Sequence, residues 1–280
     1  MKTVAVIGVG LMGGSLGIAL RHILKNGSRQ YEVIGIGRNI KKLKLAKDKN
    51  SVDCYSTDIS AVKCADIVFI CSPVDITVDM YKEVSKYVDK KTIVCDIGSI
   101  KFNVDNKIKQ LQQKNKDLPA FVGCHPMCGI EQNGIEYASL DIYNNANVII
   151  TSNPKDKNTK IISKLWKDIG CKVLFISAKE HDETVAFTSH IPHIIAFTFY
   201  KMFREKKGKN KNIENLVAGS FKSLTRVAKS SPNMWIPIFL NNKKNLKQLS
   251  NELCKQIKIF VNSFNDEEKL KEILDKSIRQ

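Results

Sequence analysis

Residues 1–20 have the sequence MKTVAVIGVGLMGGSLGIAL, in which a short apolar run, a glycine-rich turn and a helix-like stretch follow one another. The run Val4–Gly8 predicts a buried β-strand, and the motif Gly8-Val9-Gly10-Leu11-Met12-Gly13 follows directly. Apolar residues at Leu16, Ala19 and Leu20 then continue with helical spacing. A strand, a G-x-G-x-x-G turn and a helix in this order are typical of a dinucleotide-binding βαβ unit.

The glycines of this motif have separate predicted roles. Gly8 permits a tight turn, Gly10 lets the backbone approach a pyrophosphate, and Gly13 lets the helix pack closely on the strand. The amide groups and the dipole at the start of the helix favour an anion at the same place. The alternative is a glycine turn in some other α/β protein. The predicted cofactor contacts are Gly8, Gly10, Leu11, Met12, Gly13, Arg38, Ser72 and Pro73.

Arg38 bears on the choice of cofactor. The second predicted strand, Val33–Ile36, is followed by Gly37-Arg38-Asn39 instead of the acidic residue that commonly binds the ribose hydroxyls of NAD. A guanidinium at this position can pair with the 2′-phosphate of NADP. The sequence therefore favours NADP over NAD, with the alternative that Arg38 is simply an exposed arginine and selectivity is loose.

Seven β-rich runs alternate with helix-like stretches over residues 1–177. Several are continuous apolar runs, as in strands buried on both faces of a parallel sheet. We predict a Rossmann-type doubly wound sheet there, and a second, helical domain over residues 178–280 with a polar loop at Lys206–Asn212. The predicted strands are Val4–Gly8, Val33–Ile36, Ile67–Cys71, Ile93–Asp96, Phe121–Gly123, Val148–Thr151 and Val173–Ile176.

Composition excludes several classes of protein. A hydrophobic fraction of 43% and a charged fraction of 26% are typical of a soluble globular fold. The sequence has no apolar run long enough for a membrane span, and its first apolar run is too short for a signal peptide. The eight cysteines lack CxxC spacing, so we predict reduced thiols in a cytoplasmic protein and no metal site.

The net charge of +17 fits several kinds of anionic partner. Most of the excess is lysine spread along the chain rather than an arginine-rich stripe with interleaved aromatic residues. We therefore favour a solvated surface that attracts small anionic ligands, and we expect neither nucleic acid nor a membrane as a partner.

Polar residues outside the glycine motif form compact groups. His125 lies in Gly123–Glu131, and the other three clustered histidines lie in the run His181–His193. Two further groups are Asp96–Lys101, after a predicted strand, and Thr225–Trp235, in the helical part. Clustering of four of the five histidines favours a functional site over isolated structural roles.

Together these segments resemble the prephenate/arogenate dehydrogenase family, from Val4 to at least Asn241. The resemblance implies a Rossmann domain followed by a helical domain that forms a homodimer. It also implies oxidative decarboxylation of prephenate or L-arogenate in tyrosine biosynthesis, with hydride transfer from ring C4 to NAD(P)+. The matching segments are Gly8–Gly17, Asp96–Lys101, Gly123–Glu131, His181-Asp182 with Ser189–His193, and Thr225–Trp235.

This reaction needs a proton acceptor and an anchor for a carboxylate. We predict His125 as the acceptor, because imidazole titrates near neutrality and the residue follows a strand of the sheet. Arg226 is the predicted carboxylate anchor, since its planar fork can bind both oxygens. Ser99 resembles the family's hydroxyl that binds the C4 oxygen and orients the histidine. It could also cap a helix, and the two roles are compatible.

The remaining site residues come mainly from the resemblance. His193 resembles a second substrate-site histidine, whereas His190 is a support or a structural residue. Acidic residues Glu131 and Asp182 resemble groups that pair with the substrate-binding arginine and gate the pocket. Trp235 is either core or a wall of the pocket, and Gly219 would keep the backbone close to the ligand.

Some alternatives stay open at this stage. Cys128 stands where the family usually has a small residue, and we interpret it as a small apolar side chain rather than a nucleophile. A Rossmann β-hydroxy-acid dehydrogenase would share the glycine motif but use a catalytic lysine in its second domain. A non-catalytic NADP-binding regulator would need no combination of His125, His193 and Arg226. The sequence does not choose between the keto group of prephenate and the amino group of arogenate.

Overall fold

The computed structural model describes residues 1–209 and 212–278, which divide into two compact units. The first unit contains Met1–Asp182 and Lys229–Asn241. The second contains Glu183–Ala228 and the residues from Asn242 onward. This division differs from the predicted boundary after residue 177, because Asp182 and the segment Lys229–Asn241 group with the sheet.

Ten strands lie in the described part of the first unit. Eight of them form one sheet in the order β10-β9-β8-β7-β6-β1-β4-β5, and β2 pairs with β3 in a small hairpin. The strands are β1 (Lys2–Ile7), β2 (Leu24–Lys25), β3 (Ser28–Arg29), β4 (Tyr31–Ile36), β5 (Cys54–Ser56), β6 (Ile67–Ile70), β7 (Ile93–Asp96), β8 (Ala120–Pro126), β9 (Asn147–Ile150) and β10 (Lys172–Phe175).

The sheet is parallel except where β9 meets β8. The end of β8 pairs antiparallel with β9, so that His125 lies opposite Ile149. A parallel neighbour requires a crossover connection, usually a helix. The segment 127–146 instead contains two short 3₁₀ turns, Ile135–Tyr137 and Leu140–Tyr143, and returns the chain in the opposite direction. The predicted Rossmann-type sheet is therefore confirmed, with one antiparallel pair at β8 and β9.

A contiguous apolar core packs one face of the sheet against helices. In this core Trp166 packs edge-on against Phe69, with ring centroids 5.7 Å apart. Trp166 also lies against Tyr143, with centroids 5.4 Å apart. The helices of the first unit include α1 (Leu11–His22), α2 (Ile40–Asp48), α3 (Thr77–Val84), α4 (Phe102–Lys114) and α5 (Lys157–Ile169).

The later part of the chain is helical, which confirms the predicted order of an α/β region followed by an α region. A π-helical turn at Ala186–His190 connects α6 with α7. The predicted loop Lys206–Asn212 begins late, because α7 continues to Lys207; residues 210 and 211 lie outside the described residues. The helices are α6 (Ala178–Val185), α7 (Ile191–Lys207), α8 (Gly219–Thr225), α9 (Pro232–Asn241), α10 (Lys243–Asn262) and α11 (Glu267–Ile278).

Across residues 1–209 and 212–278, none of the helices combines the length and the apolar character that a membrane crossing requires.

Candidate active site

The glycine motif forms a close turn between β1 and α1. Gly8 has φ of +94°, and a Cβ there would lie 2.6 Å from the carbonyl oxygen of Cys71. At Gly13 a Cβ would lie 2.2 Å from the carbonyl oxygen of Gly8. At Gly10, by contrast, a Cβ would meet no described atom within 4 Å. The motif is therefore packed on two sides and open at its centre.

The open side of the motif coincides with the start of α1. Gly10 is the N-cap residue, it gives no side-chain hydrogen bond, and the first turn of the helix carries no acidic residue. The first amide groups of a helix lack intrahelical acceptors and bind anions readily. The open start of the helix leaves room for the predicted pyrophosphate contact.

Two hydrogen bonds connect the loop after β8 to this motif and to α1. The Tyr143 hydroxyl donates to the carbonyl oxygen of Met12 at 2.9 Å. The amide of Ser139 donates to the Ser15 hydroxyl at 3.0 Å. These bonds tie the segment that follows His125 to the helix that begins the nucleotide site.

Ser72 and Pro73 follow β6 at the same edge of the sheet as Gly8. Within the described residues the buried hydroxyl of Ser72 has no hydrogen-bond partner, so it can serve a ligand. Pro73 begins the 3₁₀ turn Val74–Ile76. Because parallel strands present their carboxyl ends at one edge, residues 72 and 73 lie where open α/β sheets bind ligands.

Arg38 is exposed in the turn between β4 and α2. Asn39 caps α2, since its side-chain oxygen accepts from the amides of Lys41 at 3.0 Å and Lys42 at 3.1 Å. A Cβ at Gly37 would meet only Leu43, at an ordinary contact of 3.5 Å. The lack of an acid at position 37 is therefore not imposed by packing.

His125 lies near the end of β8 and is 9% exposed. Its Nδ1 is 2.8 Å from Nε2 of His181. Nδ1 of His181 is in turn 2.7 Å from Oδ1 of Asp182. Sequence reasoning did not assign a role to His181, although its position beside Asp182 in a matching segment was a usable signal.

Asp182 also lies against the start of α4. Its carboxylate accepts from the amide of Lys101 at 2.9 Å and from the amide of Phe102 at 3.0 Å. The N-cap position of α4 is occupied by Lys101, which gives no side-chain cap. The capping role considered for Ser99 is therefore wrong, because Asp182 supplies the acceptor from a distant part of the chain. Ser99 is half-buried in the turn between β7 and α4.

A buried ion pair supports the neighbouring strand ends. Lys101 is fully buried, and its ammonium group donates to the carboxylate of Asp96 and to the carbonyl oxygen of Cys124, the latter at 2.7 Å. Asp96 also accepts from the amide of Gly98 at 3.0 Å. These contacts join the ends of β7 and β8 one residue before His125. The sequence located this segment but gave no role to Asp96 or Lys101.

Three further residues that the sequence singled out lie in the first unit. Glu131 is half-buried in the loop after β8. Trp235 is 5% exposed and its ring centroid lies 5.2 Å from that of Phe239, which favours the core interpretation. Burial raises the pKa of Cys128 to about 12, which agrees with an unreactive thiol because the thiolate is the nucleophile.

The second unit carries the remaining predicted residues. His193 is half-buried on α7, where burial lowers its pKa and Nδ1 lies 2.9 Å from the carbonyl oxygen of Ser189. His190 is buried in the π-helical turn, with Nδ1 3.2 Å from Nδ2 of Asn242. Arg226 is exposed directly after α8, and Gly219 is the exposed first residue of that helix.

The described residues contain no group of three or more His, Cys, Asp or Glu side chains arranged to hold a metal ion. A Rossmann-type sheet with an open glycine motif and a histidine at the carboxyl edge defines the class of two-domain nucleotide-binding dehydrogenases. Residues 20–175 match the family model "Prephenate dehydrogenase, nucleotide-binding domain", and residues 177–276 match "Prephenate dehydrogenase, dimerization domain". The chain belongs to the prephenate dehydrogenase family, which confirms the family resemblance of the sequence.

Individual relatives agree with this assignment. Cyclohexadienyl dehydrogenase of Zymomonas mobilis is 34% identical over 86% of this chain and 81% of its own length. Prephenate dehydrogenase of Lactococcus lactis is 27% identical over 96% of this chain and 76% of its own length. The crystal structure of prephenate dehydrogenase from A. aeolicus, in complex with hydroxyphenyl propionate and NAD+, is 30% identical with a TM-score of 0.89, covering 99% of this chain and 96% of that one.

Proposed function

We propose that the protein catalyses the NAD(P)-dependent oxidative decarboxylation of prephenate or L-arogenate, a step of tyrosine biosynthesis. The observation that carries this is His125 at the carboxyl edge of the sheet, bonded through Nδ1 to His181 at 2.8 Å. The loop after it is bonded to Met12 of the glycine motif. The candidate base and the glycine motif thus lie at the same edge of one sheet.

The cofactor contacts follow from the open motif. Gly8, Gly10 and Gly13 would hold the pyrophosphate against the first turn of α1, with Ser72 and Pro73 at the adjoining strand end. A bound nicotinamide supplies the acceptor for the hydride that leaves ring C4. We propose NADP as the preferred cofactor, because the exposed Arg38 follows β4 and no carboxylate stands at Gly37 to repel the 2′-phosphate.

His125 would handle one proton of the reaction. As the hydride leaves C4, the hydroxyl at that carbon gives its proton to the imidazole and becomes a carbonyl oxygen. When the C1 carboxylate departs as CO2, its bonding electrons aromatise the ring, and the oxygen recovers the proton from the imidazolium. The base therefore ends the cycle unchanged. We propose that Ser99 contributes its hydroxyl to the same C4 oxygen.

Two further predicted residues would hold the substrate. We propose Arg226 as the carboxylate anchor, since a guanidinium can pair with both oxygens. His193 would hold the ligand as a hydrogen-bond acceptor at Nε2, because burial lowers its pKa and its Nδ1 proton is directed at the Ser189 carbonyl. Glu131, Asp182, His190, Gly219 and Trp235 remain predicted as supporting or gating residues.

We propose that the protein acts as a homodimer in the cytoplasm. The match to a dimerization domain supports the first point, as do exposed apolar side chains on the second unit. Met202 on α7 is 47% exposed, and Ile257 and Phe264, on and after α10, are 52% and 61% exposed. The eight free thiols support a reducing compartment. Sedimentation analysis measures the oligomeric state, and a monomer at assay concentration would contradict the dimer.

The deciding experiment measures the absorbance of reduced nicotinamide with prephenate or L-arogenate and with NAD or NADP, in all four combinations. Reduction with any pair supports the proposed reaction and ranks both substrates and cofactors. No reduction in all four would contradict it. Turnover of a β-hydroxy acid, or salt-sensitive binding to DNA without turnover, would then support the respective alternative.

A further inference from the structure

The two residues behind the candidate base continue a hydrogen-bonded chain into the protein. His125 Nδ1 lies 2.8 Å from His181 Nε2, and His181 Nδ1 lies 2.7 Å from Asp182 Oδ1. His181 is 1% exposed and Asp182 is 4% exposed. All three residues belong to the first unit. The chain therefore connects a residue at the edge of the sheet to a buried carboxylate.

Backbone hydrogen bonds position Asp182, the last residue of this hydrogen-bonded series. The Asp182 carboxylate accepts from two successive amides, those of Lys101 and Phe102, at the start of α4. A helix N-terminus stabilises a negative charge, and an ionised carboxylate can only accept hydrogen bonds. Nδ1 of His181 must then carry the proton that it shares with Asp182.

The direction of the next bond follows from the proton count. A neutral imidazole carries one ring proton. If His181 uses that proton at Nδ1, its Nε2 is an acceptor, and His125 must donate from Nδ1. His125 then carries its lone pair on Nε2.

We propose that His181 and Asp182 are positioning residues that fix the proton of His125 on Nδ1 and so keep Nε2 as the basic nitrogen. The inference rests on the proposed function, because the base acts on the substrate hydroxyl. When Nε2 takes that proton, the imidazolium keeps donating through Nδ1, and the Asp182 charge stabilises it through His181. No proton needs to pass on to solvent, since the proton taken up by Nε2 returns to the substrate oxygen as CO2 departs.

Two substitutions at one position separate hydrogen bonding from filling of space. In His181→Gln the side-chain oxygen can accept from Nδ1 of His125, whereas in His181→Phe the ring fills the volume without an acceptor. Proton-coupled ¹⁵N spectra of histidine-labelled protein distinguish protonated from unprotonated ring nitrogens. The His125→Asn protein identifies which signals belong to His125.

We expect wild-type and His181→Gln proteins to show a proton on Nδ1 of His125, and His181→Phe to show a mixture of tautomers or a proton on Nε2. A proton on Nε2 of His125 in the wild type would overturn the proposal. So would an unchanged spectrum in His181→Phe. Because this readout needs no turnover, it separates failure of the positioning role from failure of the proposed reaction.

Kinetics supply the second readout. We expect His181→Phe to lower kcat by about tenfold to a hundredfold, less than the roughly 10²–10⁴ of a lost base. The KM for the cofactor should stay near its wild-type value, and His181→Gln should recover most of kcat. Equal kcat in both variants would overturn the proposal. Asp182→Asn, checked for folding by thermal denaturation, should show the same loss of Nδ1 protonation at His125; an unchanged spectrum would exclude Asp182 from the role.

Discussion

Gly13 faces Gly8 so closely that a Cβ on Gly13 would lie 2.2 Å from the carbonyl oxygen of Gly8. Backbone cannot move as a flexible side chain can, so Gly13→Ala should destabilise the fold by about 1–3 kcal/mol or more. Gly10→Ala is the matched variant, because Gly10 has φ of −102° and open space around a Cβ. It should fold normally and bind the cofactor more weakly. Thermal denaturation and calorimetric cofactor titration measure the two effects, and a weakened fold in Gly10→Ala would contradict this account.

Replacing the candidate base His125 should lower kcat without weakening cofactor binding. His125→Asn should lower kcat by roughly 10²–10⁴, because a positioned proton acceptor contributes about that factor. The cofactor dissociation constant should stay near normal. His22→Asn is the control, since His22 is exposed on α1 and bonds only to the carbonyl of Ile18 among the contacts described. Turnover of His125→Asn close to the wild type would remove it as the base.

Arg226→Ala tests the substrate anchor. A hydrogen bond to a charged group contributes about 1.5–3 kcal/mol, so the substrate KM should rise by about tenfold to a hundredfold. The effect on kcat should be smaller. Lys222→Ala removes a positive charge from the exposed face of α8 nearby in sequence and should leave KM unchanged. If KM is unaltered in Arg226→Ala, the anchor lies elsewhere.

Cofactor preference should depend on the turn after β4. Arg38→Ala should lower kcat/KM for NADP by about tenfold to a hundredfold with little effect on NAD. Gly37→Asp should improve NAD relative to NADP, since a Cβ there meets only Leu43 at 3.5 Å and the new carboxylate can reach the ribose. Lys47→Ala, at the far end of α2, serves as the control. Equal losses with both cofactors in Arg38→Ala would contradict selection by the 2′-phosphate.

The raised pKa of Asp105 should make the free energy of unfolding depend on pH. Burial raises its pKa to about 7, against the opposing effects of Lys101 and the Thr151 hydroxyl. The unfolded chain releases this proton near pH 3.9, about the ordinary value. Between about pH 4 and about pH 7 the native state therefore binds more protons, and this contribution to stability is lost as the pH rises.

Asp105→Asn should remove that loss. Relative to the wild type, the variant should gain up to about 3 kcal/mol between about pH 5 and about pH 8, because the wild type loses about 1.36 kcal/mol per pH unit over the roughly two units from pH 5 to its native pKa. Urea denaturation at both pH values measures the difference, with exposed Asp117→Asn as the control. A constant difference between Asp105→Asn and the wild type would show that Asp105 is ionised throughout.

Sequence patterns located the buried central strands well, because buried strands such as Ile93–Asp96 and the glycine turn before α1 are determined by local residues. The edge strand Cys54–Ser56 was missed, since three residues give no reliable periodicity. The direction of β9 depends on its pairing with β8 rather than on its own composition. Short strands and strand direction therefore require the tertiary structure.

Some residues of the candidate site could also be predicted from local sequence, whereas others depend on distant contacts. His125 could be chosen from its chemistry and its place after a strand. Its partner His181 lies 56 residues away, and Asp182 contacts amides about 80 residues earlier, so neither contact has a local signal. The buried pair of Asp96 and Lys101 is close in sequence, but its burial depends on the packing of β7 and β8.

Helix α9 is part of the first unit although it is encoded between two segments of the second. Within the first unit, Asn103 Nδ2 donates to the carbonyl oxygen of Asn241, the last residue of α9, at 3.1 Å. A gene shortened after residue 182 would produce a nucleotide-binding fragment that lacks this helix. Recombination between relatives at that point would join the helix of one parent to the sheet of the other, so the two sequence modules are best inherited together.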